Sequence, residues 1–363
     1  MLDGRSPSVV GEPGVSNSVT MSDPSLHRGA ELPAEPTSIR WEQRALVAAI
    51  VAGLATWYLI RLARVMPNYG TDFDPIRYGA KLWLRGEDPY ATIGPGLAHW
   101  WNYRLRYPPT ALLLALPFSA IPILIARAIF VSLTSGALAF FLSKRSYWPL
   151  FVFASASWWA AVGLGQWSPA MFAATLAPAL GIVLAAKPNL GLVALAGMRD
   201  RRSLIIAATG AAVVFIVMLA LEPRWFTQWR AIVRNTPDVR PLALSWIGSP
   251  LLLAAFKWRR PEARMLLAFA IVPLNPALYE GVLLFMIPRT ALQGASLAVA
   301  SWLVEPLAAL WMPKALSVVP YDVSARIVGQ AMLVCMCLPA LVMVLRRPNV
   351  AKACESVAEV SNS

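Results

Sequence analysis

Acidic residues are scarce in this chain: 19 Asp and Glu stand against 32 Lys and Arg in 363 residues. There are two histidines and three cysteines, and charged residues of both signs make up only 14%. Each shortage excludes something. His27 and His99 alone are too few for a histidine-ligated zinc centre. Cys335 and Cys337 fall inside one apolar run and Cys354 lies beyond it, a pattern that resembles neither a disulfide framework nor a thiolate metal site. No apolar run follows the first residues, so no cleaved signal peptide is expected. Low charge beside 58% hydrophobic residues and a mean hydropathy of +0.57 excludes an ordinary soluble domain. What remains is a polytopic all-α membrane protein, and 15 Trp suit side chains anchored at the membrane–water boundary. The net charge of +13 comes as short basic clusters between apolar runs, the pattern of cytoplasmic loops, so nucleic acid is not an expected partner.

Residues 1–43 are rich in Pro, Ser, Gly and Glu without periodicity and are expected to be a disordered tail. Residues 44–347 are expected to form the membrane domain, and 348–363 a second tail. The candidate spans are 45–66, 127–143, 147–164, 170–198 (interrupted by Lys187-Pro188), 203–221, 241–256, 264–275, 280–290, 291–311 and 326–345. Several fall short of the roughly 20 residues that a span needs. The segment 109–122 reads as re-entrant or interfacial.

With these spans, Lys144-Arg145, the group Arg199, Arg201 and Arg202, the group Lys257, Arg259 and Arg260, and Arg346-Arg347 all fall on one side. The positive-inside rule makes that side the cytoplasm, with both termini in it and the plasma (inner) membrane as the setting. Loops 67–108 and 222–240 then face outward, yet they break the rule. The first carries Arg77, Lys81, Arg85, Arg104 and Arg106, the second Arg224, Arg230, Arg234 and Arg240. Snorkelling to lipid headgroups is one account; a basic surface that binds phosphate at the outer leaflet is the other.

The acids sort as well. Asp200 and Glu262 lie in the cytoplasmic clusters, whereas Asp72, Asp74, Glu87, Asp88, Glu222, Asp238, Glu280, Glu305 and Asp322 map to the outer side or close to it. Four of them sit in the loop after the first span, in Gly70-Thr71-Asp72-Phe73-Asp74 and Gly86-Glu87-Asp88-Pro89-Tyr90. Between these motifs, apolar Ile76, Tyr78, Leu82, Trp83 and Leu84 alternate with Arg77, Lys81 and Arg85 near a four-residue spacing, which predicts an amphipathic surface helix. Asp72 stands where a helix N-cap would, so capping is its structural reading. Asp88 before Pro89 reads most simply as a turn.

The order of these motifs resembles glycosyltransferase family 87, membrane enzymes of the GT-C fold that include polyprenyl-phosphate-mannose-dependent α-1,2-mannosyltransferases. The matching elements are Asp72-Phe73, Gly86-Glu87-Asp88-Pro89-Tyr90, Tyr107-Pro108-Pro109 before an apolar run, Gly165-Gln166, Lys187-Pro188 and Asn275-Pro276. The resemblance covers about residues 45–345. The chain departs from the family where the late loop continues as Ala277-Leu278-Tyr279-Glu280 without histidine, and between Gly165-Gln166 and Lys187-Pro188, which looks shortened.

The resemblance implies transfer of a sugar, mannose by family, from a polyprenyl monophosphate to a lipid or glycan acceptor of the cell envelope, with inversion. Inversion needs a carboxylate base for the acceptor hydroxyl and positive charge for the departing phosphate. Asp72 matches the family's base position, and Asp74 is the alternative. Arg104, Arg106, Lys187 and Arg289 are candidates for the phosphate, the matched motifs add Tyr107 and Gln166 to the substrate-binding set, and Glu280 of the late loop joins it. For Lys187 and Arg289 the alternative is snorkelling, or a pair with Glu280 or Glu305. No metal or other cofactor is expected, because the family's Asp-Phe element claims Asp72-Phe73-Asp74 and a monophosphate leaving group needs no divalent ion. Two other classes compete. A transporter or flippase would place acids near the midplane in repeated halves. A scaffold subunit of an envelope-synthesis complex would carry decayed motifs.

Overall fold

The computed structural model describes residues 39–66, 69–235, 240–274, 277–313 and 321–348. Asn275-Pro276, Asp238, the tail 1–38, the tail 349–363 and the side chain of Asp322 lie outside the described residues. The described residues belong to one packed unit, and they are almost all helical.

In chain order the α-helices are α1 (Trp41–Val65), α2 (Phe73–Leu84), α3 (Pro89–Thr92), α4 (Pro109–Ala115), α5 (Ile123–Leu142), α6 (Ala156–Gly163), α7 (Ser168–Leu176) and α8 (Pro188–Ala196). They continue as α9 (Arg201–Leu221), α10 (Pro223–Arg234), α11 (Pro261–Ile271), α12 (Ala291–Trp302), α13 (Val304–Trp311), α14 (Tyr321–Met332) and α15 (Leu338–Leu345). Four longer 3₁₀ segments, Trp148–Ala154, Pro178–Ala186, Ser249–Lys257 and Leu278–Met286, join them. The β structure among the described residues is a two-residue antiparallel contact between β1 (Arg240–Pro241) and β2 (Pro273–Leu274) and an isolated bridge between Ile93 and His99.

Among the described residues, five helical stretches are long and apolar enough to cross a membrane: α1, α5, α9, α12 with α13, and 323–345. Their exposed faces are apolar too, as Leu46, Ile50 and Trp57 on α1 and Ile205, Val213 and Ile216 on α9 illustrate. Hydrocarbon covers such a surface; water does not. The other expected spans are apolar but consist of consecutive short pieces. Proline opens most of them (Pro149, Pro169, Pro178, Pro188, Pro250 and Pro261), each removing an amide donor so that one piece ends and the next begins. In the last stretch Pro339 is accommodated by a π-turn over Leu333–Cys337.

The α1–α5 pair shows how apolar helices associate without a hydrophobic driving force. Gly136 lets the backbones approach, since a Cβ there would lie 3.4 Å from the Ala48 carbonyl oxygen and the Ala52 Cβ. The hydroxyls of Thr56 and Ser132 hydrogen-bond across the interface. Helix α1 begins at Trp41, inside the segment expected as tail, because Arg44 is already engaged on the Phe140 carbonyl at the end of α5.

Helix α9 sets the two ends of the bundle. Asp200 accepts from Ser203 N at 2.7 Å and starts it; α10 follows its last turn directly. Its 21 residues span about 30 Å. At the α10 end lie residues 88–106, which α10 contacts. At the Arg201 end, basic side chains fasten carbonyls: Arg264 binds Ala196 and Met198, Arg260 binds Pro348, and Arg347 binds Ile287. Three of the four basic clusters read from the sequence therefore meet at one end. The amphipathic helix expected around 76–84 forms as α2, with Phe73, Ile76, Ala80 and Leu82 buried and Arg85 exposed. Arg77 on its other face clamps the carbonyls of Phe118 and Ile121, so 109–121 lies under α2 as a short helical segment.

Candidate functional site

Asp72 and Asp74 have different surroundings. The helical turn starts one residue before the expected cap: Asp74 N bonds to the Thr71 carbonyl, and Asp74 reaches back to accept from Thr71 N at 2.7 Å and Thr71 Oγ1 at 2.8 Å. This is half of a capping box, with Thr71 as the cap. Arg127, on the first turns of α5, closes on the same carboxylate in a bidentate pair, its Nε 2.7 Å from Oδ1. Asp74 is buried and fully engaged. The capping expectation for Asp72 is thereby corrected: its backbone is already helical, and its side chain accepts no helix amide.

The Asp72 carboxylate instead accepts from Gln166 Nε2 at 2.5 Å, and Gln166 Oε1 accepts from the Tyr107 hydroxyl at 3.3 Å. Gly165 makes this possible. Its φ of +60° is the left-handed region, and a Cβ there would lie 3.1 Å from Phe73 Cβ and 3.2 Å from Thr71 Cβ and Oγ1. The turn after α6 thus lays Gln166 directly against the start of α2, while Asp72 N bonds to the Leu164 carbonyl at 2.9 Å.

Lys187 stands at the break between the segment Pro178–Ala186 and α8, where Pro188 interrupts the helix. Its ammonium lies 2.7 Å from Glu280 Oε1 and 4.9 Å from the centre of the Tyr279 ring. Glu280 is buried, and its Oε2 has no hydrogen-bond partner among the described residues. The late loop is pinned beside the Gln166 turn by Ser168, which donates to the Tyr279 carbonyl at 2.8 Å.

The electrostatics join the two halves. Burial pushes the Asp72 carboxyl above its ordinary 3.8, and the Lys187 ammonium and the Gln166 hydrogen bond partly offset this. Burial also drives the Tyr107 phenol well above 10; Lys187 opposes that rise, and Asp72, Tyr279 and Glu280 add to it. Tyr107 is therefore within electrostatic reach of all four. Asp72, Tyr107, Gln166, Lys187 and Glu280, from five stretches of chain, form one cluster.

The remaining candidates lie elsewhere. Arg289 donates to Glu262 at 2.6 Å, and Arg347 lies 3.0 Å from the same oxygen, which puts Arg289 in the basic clasp and not beside Asp72. Arg104 and Arg106 line a cleft of about 620 Å³ against α10, and the Arg106 charge acts to lower the Asp72 pKa. Asp88 caps α3, accepting from Tyr90 N at 2.8 Å, as its turn reading implies; its other oxygen accepts from Gln228 Nε2 at 2.7 Å.

The sequence reading assigned no role to Arg127, Thr71, Tyr279 or Gln228. A lone arginine opening an apolar span is a signal for a buried partner, and Thr-x-x-Asp is a capping-box pattern. Gln228 carries no such mark. No protein-family model, curated protein or solved structure matches this chain.

Proposed function

We propose that this chain is a membrane glycosyltransferase that moves a sugar from a polyprenyl monophosphate to a hydroxyl of an envelope lipid or glycan, with inversion. In this reading the ten apolar stretches form a GT-C-like bundle in the plasma (inner) membrane. The Asp72 end faces outward, and the basic clasp and both termini face the cytoplasm. One observation carries the proposal: the convergence of Asp72, Tyr107, Gln166 and Lys187, which match the family's motifs, with Glu280 of the late loop.

Of the two candidate bases, Asp74 is committed to Arg127 and Thr71, which leaves Asp72. Its carboxyl takes the acceptor's hydroxyl proton as the oxygen attacks the anomeric carbon from the face opposite the phosphate. The bond from that carbon to the phosphate oxygen breaks, and the electron pair leaves with the phosphate. Lys187 supplies the nearest positive charge for the departing anion. Gln166 orients Asp72, and Tyr107 orients Gln166 in turn. The mannose assignment rests on the family resemblance.

The test is a transfer assay in membranes containing the protein, with labelled polyprenyl-phosphate sugars as donors. Label is expected to move to lipid or glycan. Asp72→Asn keeps the shape and removes the proton acceptor, so transfer is expected to fall about 100-fold or more at unchanged protein level. Full activity of Asp72→Asn refutes the base assignment. Label that crosses the membrane while still attached to its lipid replaces the whole reading with a flippase.

A further inference from the structure

The two loops that carry arginine against the charge rule, 67–108 and 222–240, are far apart in sequence yet face each other across the cleft of about 620 Å³. That volume is in the range of ligand pockets. Its walls are fixed to one another. Trp229 Nε1 donates to the Arg106 carbonyl at 2.8 Å, and Gln228 donates to Asp88. Gly94, at φ +150°, lies beneath Arg104: a Cβ there would sit 2.8 Å from Arg104 Cδ and 3.2 Å from its Cα. The loop backbone is thus shaped to seat that arginine.

The polar lining is one-sided in charge. Arg104, Arg106, Asn102, Gln228 and Asn235 face the cleft, and among the described residues no acid lines it. Among the described residues neither arginine has a carboxylate partner; the Arg106 guanidinium lies 4.7 Å from the centre of the Tyr103 ring. Asp88, the acid that the neighbouring turn contributes, is engaged by Tyr90 N and Gln228. Two guanidinium groups without acids match an oxyanion. Three side-chain amides supply donors and acceptors for hydroxyls.

We propose that this cleft binds a phosphorylated sugar or polyol as a ligand separate from the polyprenyl-linked donor. Arg106 connects the two regions, because its charge reaches Asp72 while its side chain lines the cleft. Presentation of this ligand's hydroxyl to Asp72 rests on the transfer reading above; its binding does not.

The experiment uses the full chain purified into phosphatidylcholine nanodiscs, titrated with glucose 6-phosphate, inorganic phosphate and glucose. Tryptophan emission serves as a readout, since Trp229 is bonded to the cleft wall. Glucose 6-phosphate is expected to bind more tightly than either fragment. Arg104→Gln with Arg106→Gln is expected to weaken it about tenfold or more, and replacement of both by Lys to give an intermediate loss. Asp72→Asn is expected to leave this binding within about twofold, so failure of the transfer reading stays distinguishable. Discs containing phosphatidylinositol separate two sources of the ligand: competition with glucose 6-phosphate assigns the occupant to a lipid headgroup, and unchanged affinity assigns it to a soluble sugar phosphate. Equal binding of glucose and glucose 6-phosphate overturns the proposal. So does wild-type affinity in a Gln double variant that melts like the parent.

Discussion

Two buried glutamates meet their cations in different ways. Glu262, on the first turn of α11, faces Arg289 and Arg347, and Arg347 also fastens the Ile287 carbonyl. Arg260 and Arg264 beside it bind carbonyls at 348, 196, 198 and 259. Side chains there hold backbone, and the result is a clasp that ties α11 to the ends of other segments. Glu280 faces Lys187, and the charges of that pair act on Asp72 and Tyr107, which Gln166 links by hydrogen bonds. In sequence the two cations read alike, as lone charges in apolar surroundings. Arg289 shares its carboxylate with Arg347, whose bond to a carbonyl commits the clasp to the fold, whereas Lys187 is paired with one carboxylate and acts on a second, so its partner is one that a substrate can replace.

The sharpest way to break this comparison is to separate stability from transfer at each glutamate. Lys187→Met strands Glu280 in the interior and is expected to destabilise the protein by about 3–5 kcal/mol. Transfer is expected to drop about 100-fold or more as well. Lys187→Met with Glu280→Met leaves no unpaired charge and is expected to recover most of the melting temperature but none of the transfer. At the clasp, Glu262→Gln is expected to lower the melting temperature while transfer per folded molecule stays within about twofold, the clasp being far from Asp72. Recovered transfer in the Lys187–Glu280 double variant would make that pair structural too and remove the distinction.

A smaller effect sharpens the contrast within one turn of chain. Asp74→Asn breaks the bidentate pair with Arg127 while retaining one acceptor oxygen for Thr71. The expected result is a loss of about 3 kcal/mol, seen as a lower melting temperature in detergent, with transfer by the surviving folded protein near normal. Asp72→Asn is expected to do the reverse. A variant of Asp74 that melts normally and has no transfer would exchange the roles of the two carboxylates.

Much of the scaffold was legible from local pattern, because the features that specify it are local. The apolar lengths of α1, α5 and α9, the four-residue spacing in α2 and the Asp88-Pro89 turn each lie within a few helical turns. The Asp72 cap was misplaced by one residue because both Thr71 and Asp72 are capping types, and only the reach of Asp74 back to Thr71 decides between them. The partner of Arg289 was not legible: Glu262, Glu280 and Glu305 are all acids near apolar runs, and the choice depends on how segments cross. The cleft was only half legible. The sequence marked both arginine-rich loops as anomalous, but the Trp229–Arg106 contact joins residues 123 positions apart, and nothing local announces it.

The smallest expected effect tests whether Asp72 is tuned by its neighbours. A base works deprotonated, so transfer should fall as pH drops through the Asp72 pKa. Burial places that value above the ordinary 3.8, and the acid limb of the pH profile is expected to lie correspondingly higher. The linkage to stability has the opposite sign. A carboxyl whose folded pKa is raised contributes most to stability in acid, and that contribution is lost as pH rises through the folded value. Gln166 donates to the ionised carboxylate and so lowers the pKa; Gln166→Leu removes that hydrogen bond without removing Lys187. The acid limb of Gln166→Leu is therefore expected to move to higher pH, with the plateau rate at alkaline pH reduced far less than in Asp72→Asn. A limb that stays in place, or moves to lower pH, would show that Gln166 does not hold the Asp72 carboxylate. A limb near the ordinary carboxyl range in the parent would show that Asp72 is not the group whose ionisation controls transfer.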